Sequence, residues 1–457
     1  MHSRPRRRRV IAAAVASLVV VTGCTSASKT TSSGGPSAGA GSSTGAGAGA
    51  GVVTITLSSS ASPANAKATN QVIALFEASH PSIKVKFEPD AGGTRQGSVL
   101  RIGEGDPSLD IASAEVGYQY QWYANSWISP LTPYFTKAEL ATVEPHLVNE
   151  WTNSKGQLLG VPTDNSGMWL AVNQDLLKRA GVTPPPTMKR DSLAATTSGV
   201  WTWEQVLAAA KQVQAKTGKI GLLFPTDDGW PTLPLAEQLG AQPTSPDGLT
   251  VKGYLDQKPW VTAMTKWKDF FATGAAQIVN PTWTNSQFLS GGAAFALTHL
   301  AVFDECTQAK FDCDAAAEPY YQGGKKVVQS TNSGWVLNSK SPHKAQAAEF
   351  MKFVLLNPQA SKVLVAAPFY AGIPMLVKPF NAMQADPALK KFPASVKLLG
   401  SWQSENWPEV PIKSPVGATI YTSITNAYMD SRTGARTPQQ AVNTMVDVVQ
   451  RALAKYK

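Results

Sequence analysis

Histidine is the usual general base of nucleophilic hydrolysis, and this chain of 457 residues has five of them against thirteen tryptophans. That balance points toward flat apolar surfaces that stack on a ligand more than toward proton transfer. The 31 acidic residues could still supply a carboxylate pair across a scissile bond, so a secreted glycoside hydrolase stays open as an alternative. Most of the tryptophans must be structural, and position decides which are not. Trp260, Met264, Trp267 and Phe271 recur at helical spacing, which places Trp267 in a core. Trp230, in the breaker-rich "PTDDGWPTLP", reads as a loop residue with no evident core to join. Glu115 and Tyr118 follow the strand "DIASAE", where ligands collect at the carboxyl ends of strands, and Ser59 and Ser60 end the first strand. Capping of the next helix competes for Glu115, and a solvated turn for the serines. Cys306 and Cys313 stand at a spacing that is unusual for zinc, with His299 alone nearby, so no metal and no cofactor are expected.

The elements that must hold these residues alternate. "VVTITLSSS" (52–60) reads as a strand and is followed by a helix whose apolar face is Val72, Ile73, Leu75 and Phe76, ended by Pro81. "IKVKFEP" alternates with period two, a helical stretch surrounds Val99 to Ile102, and "LDIASAE" is a further strand. Alternation at this spacing predicts an α/β fold with right-handed βαβ units and a mainly parallel sheet. Later helices are well punctuated. One opens at Thr202 and closes at Gly218, one covers 345–356 with Pro358 beyond it, and one ends the chain.

The N-terminus is an address. Five arginines precede twelve apolar or small residues from Val10 to Val21, a secretory pattern spanning about 18 Å as a helix, too short for a membrane core of about 30 Å. Twin-arginine export lacks the rest of its pattern, so Sec export is expected. Without residues 1–23 the formal charge of +10 falls to +5 (10 − 5), mild for so long a chain and without basic blocks, so nucleic acid is not an expected partner. Val21-Thr22-Gly23-Cys24 resembles the lipobox of bacterial lipoproteins, which implies lipidation at Cys24. Residues 25–51 are almost wholly Ser, Thr, Gly and Ala and read as a flexible tether with a typical reach of roughly 30 Å. With Cys24 lipidated, Cys306 and Cys313 remain as an even pair in an exported protein, and a disulfide around Phe311 is expected.

From Asp110 onward the order of motifs resembles the family 1 extracellular solute-binding proteins, the sugar-binding subunits of bacterial ABC importers. The matching stretches are "GDPSLDIASAE", "WYANSWISPLTPYF", "KGQLLGVPTDNSGMWLAVNQDLLKRAGVTPPPT", "WTWEQVLAAAKQV", "FLSGGAAFALTHL" and "NSGWVLNSKSPHKAQAAEFMKFVLL", in order over nearly all of 52–457. Two departures stand out. "MKRDSLAATTSGV" is inserted and reads as a surface loop, and "LAVN" replaces the usual "lyYN", so an aromatic is missing at Val172.

The resemblance implies a two-lobed fold of the type II periplasmic-binding-protein kind, with a cleft between lobes joined by crossing segments. Lobe one would be 52–163 plus about 335–370, and lobe two about 164–334 plus 371–457. A sugar offers C–H faces to aromatic rings and hydroxyl rims to amides and carboxylates. Trp335, in the "SGW" that falls at the family's "GGW", is the leading contact by resemblance. Asp164 and Asn165 follow the strand "LLGVP" at the first crossing, Asp164 with a hinge role as the competing reading. Trp283 and Tyr370 are weaker candidates. The implied protein is a non-catalytic, monomeric lipoprotein on the outer face of the cytoplasmic membrane. It would deliver a sugar, by expectation an oligosaccharide, to the permease subunits of an ABC importer. A third reading keeps the fold but changes the ligand to a polyol phosphate, peptide or polyamine.

Overall fold

The computed structural model describes residues 51–59, 63–90, 96–165, 167–278, 286–329, 333–365 and 375–456. The signal segment, Cys24 and most of the tether, together with Ser60, Trp283 and Tyr370, lie outside the described residues.

β1 (Val53–Ser59) points Ile55 and Leu57 into the core. The helix Pro63–Ser79 carries the chain to β2 (Ile83–Pro89), parallel to β1 in register Val53 to Ile83. Val72, Ile73 and Phe76 bury as expected, but Leu75 stays 38% exposed because the stripe is narrower than its four apolar residues. β3 (Ile111–Glu115) pairs parallel on the other side of β1, and the short β4 (Ile128–Ser129) and β5 (Val161–Pro162) follow. The chain then leaves this sheet. β6 (Trp169–Asn173), β7 (Ile220–Phe224), β8 (Ala276–Ile278), β9 (Ala293–Thr298) and β10 (Cys313–Ala316) build a second sheet in the order β10-β6-β9-β7-β8. β11 (Ser333–Asn338) returns to the first, which reads β2-β1-β3-β11-β4, with β5 also paired to β11.

In each sheet all strands but one share a direction, as the alternation predicts, the exceptions being β11 in the first and β6 in the second. β2, β1 and β3 are parallel, but β11 runs antiparallel to β3, β4 and β5. In the second sheet β9-β7-β8 is parallel and β10-β6-β9 antiparallel. A helical crossover after a strand forces the next strand to run parallel. β11 instead arrives from the other sheet, and its direction follows the returning chain.

The first sheet carries one core, including Leu57, Ile111, Val161, Trp335 and Phe350. The second sheet is covered on both faces, and β7 shows it by alternation: Leu222 and Phe224 face Trp203 and Trp267, while Leu223 faces Trp169 and Phe303. Trp267 is fully buried and its indole N–H donates to Asp227 at 2.9 Å. The helix Trp203–Thr217 has the expected Thr202 cap, completed by Gln205 as a capping box, and stops at Gly218 in the left-handed region.

The insertion is more than a surface loop. Ser192 caps a helix at Leu193–Ser198, and Met188 is buried. Asp314 on β10 holds its base, accepting from Thr187 Oγ1 at 2.6 Å and from the Lys189 amide at 2.9 Å. Beside it Cys306 and Cys313 are disulfide-bonded, tying the helix Ala301–Cys306 to β10. Among the described residues no helix is long and apolar enough to cross a membrane.

Candidate functional site

The chain passes between the sheets at residues 163–168 and again before β11, and these two passages are bonded to each other. The Asp164 carboxylate accepts from Ser333 Oγ at 2.9 Å and from its amide at 3.3 Å, while the Thr163 amide donates to Ser333 O. Asn165, fully buried, meets His146 Nε2 through Oδ1 at 3.1 Å. Burial pushes the His146 imidazole down to about 4 against the favourable Asn165 contact. At neutral pH the ring is uncharged, and the N–H at Nε2 is assigned by the amide oxygen it serves.

Trp335 lies on β11 with 1% exposure, stacked on Phe350 at 5.8 Å, and its indole N–H donates to Ser59 Oγ at 3.2 Å. It joins the end of β1 to β11. Its neighbour Gly334 has a reason to be glycine, since a Cβ there would lie 2.4 Å from the Trp151 ring.

The two cores also meet at the end of β3. Glu115 is exposed, and Val116 already packs in the core of the second sheet. Gly117, at φ +90°, is the N-cap residue of the helix Tyr118–Ala124. A Cβ on Gly117 would stand 2.6 Å from Tyr421 Cε2, and one on Gly417 would stand 2.4 Å from Gly117 O. Tyr118, half-buried, turns back onto the first core against Trp122.

Gly229, next to Trp230, meets the same tyrosine. Trp230 sits in the first turn of the helix Gly229–Gln238, not on a loop as its breakers suggest. Pro231 falls in that first turn, where no N–H partner is needed. Asp228 caps the turn by accepting from the Trp230 amide at 3.2 Å. The Gly229 amide donates to Thr425 Oγ1 at 2.7 Å, and a Cβ on Gly229 would lie 2.6 Å from Tyr421 O. Arg432, farther along the helix Gly417–Thr433, grips Asp227 through both Nε and Nη2, the shorter bond being 2.6 Å.

Tyr421 is thus the residue around which the end of β3 and the Trp230 turn gather. Pattern reading misses it, because "TIYTSITNAY" presents it as one more apolar helix position. Burial first, then the charges of Glu409, Glu150 and Glu237, push its phenol well above the ordinary range, so it is a neutral ring with a hydroxyl. Glu237, in the same surroundings, is raised to about 8 by burial and by Glu150. Tyr421 is itself buried between these backbone segments, and the half-buried Tyr118 and Trp230 on either segment are the rings a stacking ligand could reach. The described residues contain no group of three or more His, Cys, Asp or Glu able to hold a metal ion.

The profile described as bacterial extracellular solute-binding protein matches residues 59–361. The chain belongs to this family. Solved structures similar to this solute-binding protein include the GacH receptor of Streptomyces glaucescens, with TM-score 0.69, 18% identity and coverage of 88% of this chain and 99% of that one. A cyclic alpha-maltosyl-1,6-maltose binding protein of Arthrobacter globiformis matches with TM-score 0.70 and 16% identity over 89% and 100% of the two chains. An ABC substrate-binding protein of Listeria monocytogenes in complex with cycloalternan matches with TM-score 0.70 and 20% identity over 88% and 98%. The shared fold is the two-lobed, mixed α/β arrangement expected of the chain, and the crossings at Asp164 and Ser333 join its two halves.

Proposed function

We propose that this solute-binding protein captures an oligosaccharide between its lobes by hinge closure and hands it to the permease of an ABC importer, without catalysis. The observation that carries the reading is the gathering of Gly117–Tyr118 and Gly229–Trp230 about Tyr421. The structural relatives support the same ligand class: one is in complex with acarbose, one binds cyclic alpha-maltosyl-1,6-maltose and one is in complex with cycloalternan. In this reading lobe one is 52–163 plus about 335–370 and lobe two is the rest of the folded chain. Trp230, Tyr118 and Glu115 meet the sugar, with Ser60, Trp283 and Tyr370 as further contacts, and Tyr421 backs the segments that carry them. Asp164, Asn165 and Trp335, each engaged with a neighbour, shape the crossing. Cys24 carries the lipid and residues 25–51 are the tether, so a monomer is held at the outer face of the membrane, where two or more acyl chains anchor stably.

Melting the protein against a panel of maltodextrins, cyclic glucans and amines tests it. A ligand at 100 times its Kd adds about 2.7 kcal/mol to stability. A glucan shift without release of reducing ends supports the reading. A shift with amines or phosphate esters alone sinks the sugar, and release of reducing ends restores the glycoside hydrolase. Cys24→Ser is expected to free the protein from membranes without changing affinity.

A further inference from the structure

The two cores also face each other across a cavity of about 380 Å³ whose charged lining is almost wholly acidic. From the first core come Glu144, His146 and Glu150, on and just before the helix Pro145–Glu150. From the second come Glu405, near the end of the helix Ser395–Asn406, and Glu409 on the segment after it. No lysine or arginine among the described residues lines the cavity, and Lys413, close by in sequence, donates to Asn149 Oδ1 at 2.8 Å. His146 is neutral, so it offsets none of the negative charge.

Glu144 is a buried carboxyl group of this lining, and its backbone is held in place. It is 4% exposed, and its backbone amide donates to Met375 O at 2.9 Å, where Val143 and Leu376 form an isolated bridge. It cannot move aside without breaking that link. Any separation of residues 144–150 from 405–411 hydrates its carboxyl and increases its distance from Glu405.

We propose that this seam is a proton-operated latch: a proton on Glu144 keeps the two halves in contact here, and its loss drives 144–150 and 405–411 apart. Burial, and then Glu405, raises the Glu144 carboxyl from 4.5 to about 7 in the contact. Once the seam parts, the group returns toward its ordinary value, so forming the contact takes up a proton. The latch's stabilisation is therefore fully present below about 4.5 and is lost as pH rises through about 7. The latch does not depend on what the cleft binds.

The test uses the full chain without ligand, with Cys24→Ser and spin labels at two exposed positions, Lys155→Cys and Asn406→Cys. The ratio of separated to closed population is expected to rise by up to about seventyfold between pH 5 and pH 8. In Glu144→Gln it should stay low at both pH values, and in Glu405→Gln the midpoint should fall. A distance distribution that does not change with pH, or a change that persists in Glu144→Gln, overturns the proposal. If Glu144→Gln does not fold, an unmoved midpoint in Glu405→Gln does the same.

Discussion

Gly117 and Tyr421 touch across the two cores, the glycine at φ +90° and the ring where a Cβ at 117 would be, 2.6 Å from Cε2. Both the backbone conformation and the space exclude a side chain. Gly117→Ala is therefore expected to lower stability by about 1–3 kcal/mol, from the left-handed penalty and the steric conflict together. In the Tyr421→Ala background the steric part vanishes and only the backbone part remains. A double-mutant cycle in urea measures the difference, and simple additivity would mean that the ring moves away freely.

Trp230 is a half-exposed ring a sugar would reach, and Tyr421 is the buried ring that holds its turn. Each change to Ala should weaken oligosaccharide binding by about 1–2 kcal/mol, roughly five- to thirtyfold, as read by calorimetry. The two should act together, because Gly229 and Thr425 fix one against the other. Affinity unchanged in both variants would return the rings to packing.

Much of this arrangement is legible in the sequence, and what is not has a common physical origin. Trp267 is placed in the core by helical spacing, and there it is. The cap at Thr202 and the stop at Gly218 are local chemistry and are found. β11 between β3 and β4 is a contact across more than two hundred residues, and no local pattern encodes its direction. At Trp335 the "SGW" locates the crossing, and Phe350 and Ser59, distant in sequence, hold the ring there. Tyr421 was hidden for the opposite reason: its helix reads as ordinary, and its role appears only through glycines at 117 and 229, far away in sequence.

Asp227 ties the Trp230 turn to the helix of Tyr421, accepting from Arg432 twice and from the Trp267 indole. Asp227→Ala leaves the guanidinium and the indole without their acceptor. Arg432 keeps about a quarter of its side chain in water, so the loss is below that of a fully buried pair, about 2–3 kcal/mol. The denaturation midpoint should fall, and sugar affinity with it, since the turn is no longer pinned. Normal stability in this variant would show that water replaces the carboxylate at little cost.

Glu237 gives a pH dependence of the fold itself. Its Oε2 accepts from the Val410 amide at 3.1 Å, a bond that favours the charged form. Burial, with Glu150 adding to it, outweighs that bond and raises the carboxyl from 4.5 to about 8. Unfolding returns the group to its ordinary value, so between the two the native state holds a proton that the unfolded chain has released. Stability from this group is thus complete below about 4.5 and is lost as pH rises through about 8, with a slope of at most about 1.4 kcal/mol per pH unit. Glu144 contributes in the same sense but ends near 7, so the two separate above neutrality. Urea midpoints at pH 5, 7 and 9 should fall in the parent chain, and Glu237→Gln should reduce the fall in both intervals, by more between 5 and 7 than between 7 and 9. An equal slope from 7 to 9 in parent and variant would mean that Glu237 is ionised in the folded protein, with water reaching its carboxylate.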